Sequence, residues 1–154
     1  MKDLAQKALE QLLLNESVDG IRFGPVPQIL FTSQAEGKPP VKGQTYINLA
    51  ARWSLYPARP EVLPQQEDDV PELPDDQQLR AICGLREAVI QKVELGNDAP
   101  HLILTFEDGR LMFINGRDDK YESWQAGIAF EPVGLTVIAC PGGEIALFGA
   151  EELM

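Results

Sequence analysis

TYINLAARWSLY, residues 45–56, is the most regular passage of the chain. Ile47, Leu49, Ala51, Trp53 and Leu55 alternate with Tyr46, Asn48, Ala50, Arg52, Ser54 and Tyr56, the period of two that places successive side chains on opposite faces of a strand. The spacing predicts a strand with one core face and one polar or aromatic face. Similar but shorter signals follow. AVIQKVEL (88–95), HLILTFE (101–107) and RLMFIN (110–115) each read as strands, with Leu102, Leu104 and Phe106, then Leu111 and Phe113, sharing a face. Between the last two, EDGR carries the Asp-Gly pair that suits the positive φ angles of a two-residue hairpin turn.

The flanks complete the outline. Residues 2–14 place Leu4, Ala8 and Leu12 beside Ala5, Leu9 and Leu13, an apolar stripe that predicts an amphipathic helix. NESVDG then reads as a turn, PVPQILFT (25–32) as an edge strand entered through prolines, and QAEGKPPVKGQ as a loop. PDDQQLRAICGLRE (74–87) predicts a second, two-turn helix capped by Asp75 or Asp76, burying Leu79 and Ile82 and stopped by Gly84. KYESWQAGIAF (120–130) reads as a strand in which Tyr121 and Trp124 could share the core face only through a bulge. LTVIACPGGEIALF (135–148) reads as a hairpin turned by Pro-Gly-Gly. The expected class is α+β: a mainly antiparallel, curved sheet with an N-terminal helix and a short second helix.

A length of 154 residues suits a single domain. Within it, residues 57–78 stand apart, with prolines at 57, 60, 64, 71 and 74 and only one base against seven acids. This acidic, proline-rich segment is expected to be a long loop or linker between 1–56 and 79–154, pinned at apolar points such as Val62, Leu63, Val70 and Leu73. The whole chain has 13 basic and 24 acidic side chains, a net charge of −11. Such a field repels phosphate backbones and anionic lipid, so neither nucleic acid nor a membrane is an expected partner, whereas a basic protein surface is attracted. The opening MKDLAQKALEQLLLNE is too polar for a secretion signal or a membrane span, and a cytoplasmic location is expected.

Motifs for chemistry are sparse. His101 is the one histidine, without a nucleophile-elbow serine, and a Cys140–His101 pair rests on residue type alone. Cys83 and Cys140 fit no metal spacing and read as buried reduced thiols. Asp118, Asp119 and Glu122 lie close together, but Gly116 precedes them, the reverse of a calcium loop, and Arg117 and Lys120 offset their charge. No phosphate-cradling glycine pattern occurs. No catalytic residue, cofactor or metal is therefore expected.

The order YINLAARWSLY, CGL, VIQKVEL, LILTFEDGRLMFIN and YESW, within residues 44–125, resembles a group of small bacterial proteins of unassigned activity. More loosely, it resembles immunity-type proteins encoded beside polymorphic toxins. That resemblance implies a binding protein that occludes a basic toxin or effector, and it carries no active-site residues. The residues expected to meet such a partner are Glu67, Asp68, Asp69, Asp75 and Asp76, together with Tyr121, Glu122 and Trp124. Two alternatives stand beside it: a ligand or substrate pocket on the sheet around Arg52, Tyr121, Glu122 and Trp124, and an assembly module forming a homo-oligomer through a strand edge.

Overall fold

The alternation at 45–56 runs through two strands in two sheets. A computed structural model describes residues 1–33, 43–129 and 134–153; most of the expected loop at 34–44, and Phe130, lie outside the described residues. The periodic passage divides into β3 (Gln44–Leu49) and β4 (Trp53–Tyr56). Between them the chain steps across the molecule, with the N–H groups of Ala50 and Ala51 both donating to the Ser123 carbonyl at 3.1 and 2.9 Å. The parity survives because both strands face one core: Ile47, Leu49 and Trp53 are buried in it and Leu55 packs against it.

The architecture is α+β, with antiparallel strands in curved sheets. The remaining strands are β1 (Glu16–Arg22), β2 (Gln28–Ser33), β5 (Ile90–Leu95), β6 (Leu102–Phe106), β7 (Leu111–Ile114), β8 (Trp124–Ala129), β9 (Thr136–Cys140) and β10 (Glu144–Phe148). One sheet has six strands in the order β1-β2-β3-β8-β9-β10; the other has four, β4-β7-β6-β5. β3 lies between β2 and β8, and β4 beside β7, so the parts before and after the proline-rich segment share both sheets.

The two helices are where periodicity and composition place them. α1 (Lys2–Leu13) buries Ala5, Ala8, Leu9, Leu12 and Leu13 against the inner faces of the sheets. α2 (Asp75–Cys83) buries Ile82, while Leu79 is half-buried. Pro74, not an aspartate, occupies its N-cap, and Asp75 and Asp76 sit in the first turn.

Three local expectations are corrected. NESVDG is not a turn: Asn15, at φ 63°, breaks the chain out of α1 and the rest enters β1. Pairing on both sides overrides its turn-rich composition, with β2 on one edge and Glu87 to Val89 on the other. The hairpin between β6 and β7 uses a three-residue loop, closed by Gly109 N–H to Phe106 O at 3.0 Å and Phe106 N–H to Arg110 O at 2.9 Å. Only Gly109 takes a positive φ there (93°), the geometry of a turn followed by a bulge. Tyr121 precedes β8, so no bulge has to bring it to the core beside Trp124.

Candidate functional site

Five prolines deny residues 57–74 the N–H donors that a helix or ladder would need, and the segment runs as a strap. It lies over the outer face of the four-stranded sheet. In β6, Leu102, Leu104 and Phe106 face the main core and Ile103 faces outward; in β7, Met112 and Ile114 face the core while Leu111 and Phe113 face outward. Leu111 and Phe113 thus occupy the opposite face from the one their alternation suggests. Every side chain of β7 is buried because the strap covers that second face. Val70, 1% exposed, joins Ile103, Leu111 and Phe113 in a separate apolar cluster, with Leu63 and Tyr56 packed against it. Of the expected pins, Val70 and Leu63 hold the strap, Leu73 is half-buried and Val62 is 76% exposed.

The acids point the other way. Glu67–Asp69 forms a single 3-10 turn in which the Asp69 carboxylate accepts the Gln65 N–H at 3.1 Å. Glu67 and Glu72 bracket the Arg52 guanidinium at 3.7 and 3.3 Å, so Arg52 clamps the strap to the step between the sheets. Asp68, Asp75 and Asp76 are exposed. The last two lie where a helix N-terminus favours negative charge.

His101 fastens the other end of the strap. Its ring is buried and packs against Phe113 at a tilt of 41°, with centroids 5.0 Å apart. Nδ1 accepts the Gly116 N–H at 2.9 Å, which fixes the neutral tautomer with the proton on Nε2, donated to the Gln65 carbonyl at 3.1 Å. Burial pushes the imidazole below its ordinary pKa, and the Gln65 carbonyl and Asp98 offset only part of that. With both nitrogens engaged, the ring forms no pair with Cys140, whose thiol reaches the Ile138 carbonyl instead. Only glycine fits at 116, since a Cβ there would stand 1.9 Å from the Pro100 oxygen.

Beside this latch runs a groove of about 470 Å³, walled by the strap at Arg59 to Gln65 and by the β5–β6 connection at Glu94 to Asp98. His101, Ile103 and Phe113 line it. Arg59 crosses to Glu94 at 2.8 Å, and Lys92 lies 3.5 Å from the same carboxylate. Burial would raise the Glu94 pKa, but Arg59 and Lys92 together outweigh it and hold the group below the usual range.

The second expected cluster does not assemble as one surface. Trp124 is 1% exposed and its indole N–H donates to the Pro100 carbonyl at 2.8 Å, which makes it a core residue and withdraws it from any partner. Tyr121 is 70% exposed and Glu122 is also exposed. The recess at Arg52, about 170 Å³, is lined by Leu49 to Trp53, Pro71 to Leu73 and Gln78, without Tyr121, Glu122 or Trp124. Asp118 is a turn former: its carboxylate accepts the N–H groups of Lys120 and Tyr121 at 2.8 and 2.9 Å, which lowers its pKa. Among the described residues no group of three or more His, Cys, Asp or Glu side chains converges as a metal site. Cys83 is exposed and Cys140 half-buried, so neither is the buried thiol expected.

The sequence shows where the acids lie but carries no sign of the Arg52 clamp or the His101 latch. Both depend on contacts across at least 15 residues, and no local pattern signals them. Among the described residues no helix is long and apolar enough to cross a membrane. Comparison with protein-family models, with curated proteins and with solved structures finds no match.

Proposed function

We propose that the protein is a cytoplasmic binding protein of the immunity type, which neutralises a toxin or effector by covering its basic surface with the acidic strap. One observation carries this reading. The strap turns Val70 and Leu63 inward and Asp68 outward, and Asp75 and Asp76 follow it, exposed, at the start of α2, so the charge is presented on folded backbone. A partner then binds without the cost of ordering a loop, and clustered carboxylates steer a cationic surface toward it. The net charge of −11 and the resemblance of residues 44–125 support the same direction.

The test begins with the partner recovered by co-purification from the native host. Replacing Glu67, Asp68, Asp69, Asp75 and Asp76 with their amides should weaken its binding at least about tenfold and flatten the salt dependence. Unchanged affinity and an unchanged salt slope would remove the strap from the interface. The groove beside His101 favours a second reading, capture of a small ligand, because its volume falls in the range of ligand sites. Under that reading a compound library should yield ligands whose NMR shift changes centre on Ile103 and Phe113; shifts elsewhere would count against it.

A further inference from the structure

We infer that β10 is a docking edge for a second copy of this chain, the two β10 strands pairing antiparallel about a two-fold axis at Ala146 and joining two six-stranded sheets into one. The other sheet ends are each closed or blunted. The outer edge of β1 is occupied by Val18 N–H to Ala88 O at 2.9 Å and Glu87 N–H to Val18 O at 2.7 Å. On β5 the Gln6 amide imitates a neighbouring strand, donating to Val93 O at 2.7 Å and accepting from Leu95 N–H at 3.1 Å, while Asn15 N–H donates to Ile90 O at 2.9 Å. β4 is four residues long and stops at Pro57. Short length, proline and cover are the devices by which sheets avoid pairing edge to edge.

Among the described residues nothing is hydrogen-bonded to the outer edge of β10, and the strand carries no proline. Its sequence is EIALF, with one charge, no proline and an unbroken register from Glu144↔Cys140 to Phe148↔Thr136 on β9. Among the described residues no other strand pairs with it. It ends in Phe148, 57% exposed, one of the few large apolar side chains on the surface among the described residues.

The choice of a second copy follows from the strand's own order. Pairing centred on Ala146 sets Ile145 opposite Leu147 and Glu144 opposite Phe148, so the carboxylates never face each other. Ile145 and Leu147 pack against the core, which leaves Glu144, Ala146 and Phe148 on the outer face. There each phenyl ring would cover the Ala146–Glu144 side of the other copy. The net charge opposes the association, so salt should tighten this contact by screening. A strap-mediated contact responds to salt in the opposite direction.

Sedimentation equilibrium across a wide concentration range, at low and high salt, is the experiment. The wild type should show a monomer–dimer equilibrium that salt strengthens. Phe148→Glu sets carboxylates opposite Glu144 twice per dimer and should weaken it about tenfold or more, whereas Phe148→Lys gains an attractive pair at the same positions and should retain it. Circular dichroism and denaturant midpoints establish that both variants fold, and the five-amide strap variant should dimerise at least as well as wild type. A chain that stays monomeric throughout overturns the proposal and leaves the edge to a strand from another protein. Equal dimerisation of wild type and Phe148→Glu, or equal loss in both Phe148 variants, overturns the Ala146-centred pairing.

Discussion

Val70 is a single side chain with a large assignment, since it fixes the middle of the strap over Ile103, Leu111 and Phe113. Removing its two methyl groups in Val70→Ala should cost about 1–2 kcal/mol in a denaturant melt, and local amide exchange in 63–73 should accelerate more than exchange in β8. His101 makes the strap's attachment depend on pH. Its folded pKa lies below the 6.5 of the free side chain, so between those values the unfolded chain binds the extra proton. The stabilisation is present in full above pH 6.5 and is lost as pH falls through 6.5 toward the depressed value. A proton added to Nδ1 would also face the Gly116 N–H that this atom now accepts. Denaturant midpoints between about pH 7 and pH 5 should therefore fall more steeply for wild type than for His101→Gln. Parallel curves would show that the histidine is not the group responsible. Val70 was legible as one of four apolar pins, though not which surface it would meet; His101 was not, since it follows Pro100 without any distinguishing neighbour.

At the scale of elements, the alternation at 45–56 was legible and its division was not. Two strands that face the same core keep the same inward parity, so the pattern passes through Ala50 and Ala51 without a fault; only the Ser123 carbonyl, supplied from far along the chain, marks the step. β1 was illegible for a related reason, as its strand state comes from neighbours on both edges rather than from Ser17, Asp19 or Gly20. The last hairpin was readable because Gly142 and Gly143, at φ 80° and 78°, take the conformations that glycine permits at least cost. The bond from Gln6 to the edge of β5 joins a helix to a strand without a ladder. Gln6→Ala should cost about 1–2 kcal/mol by stranding Val93 O and Leu95 N–H, and Gln6→Glu should be worse, because a carboxylate would then face the Val93 carbonyl. Chemical denaturation of the pair checks the order. Gly116→Ala, with its added Cβ driven against Pro100, should exceed about 4 kcal/mol or yield no soluble protein.

For the whole molecule the charge balance was plain from composition, and with it the candidate surface; what composition could not supply was that the acidic segment is folded. Read alone, 57–78 holds too few hydrophobes to form a core and gives only a long loop or linker pinned at a few apolar points. The missing part of that core is on the sheet, where Ile103, Leu111 and Phe113 complete it. Self-repulsion among 24 acids should make the thermal midpoint rise with added salt up to physiological ionic strength. Asp68→Asn, which removes an exposed carboxylate outside the clamp and the helix start, should melt at least as high as wild type in low salt and respond less to salt, measured by calorimetry. A midpoint indifferent to salt would mean that the bases already balance the acids locally.

The strap also acts as a dressing over a hydrophobic surface. A protease that nicked the exposed Gln65–Gln66 bond would break no secondary structure on either side, yet it would free the chain ends flanking Val70 and let the face formed by Ile103, Leu111 and Phe113 meet water. The same cut separates Glu67 and Glu72 from the latch at His101. One hydrolysed peptide bond would thus turn a highly charged, self-repelling molecule into one with an adhesive flank.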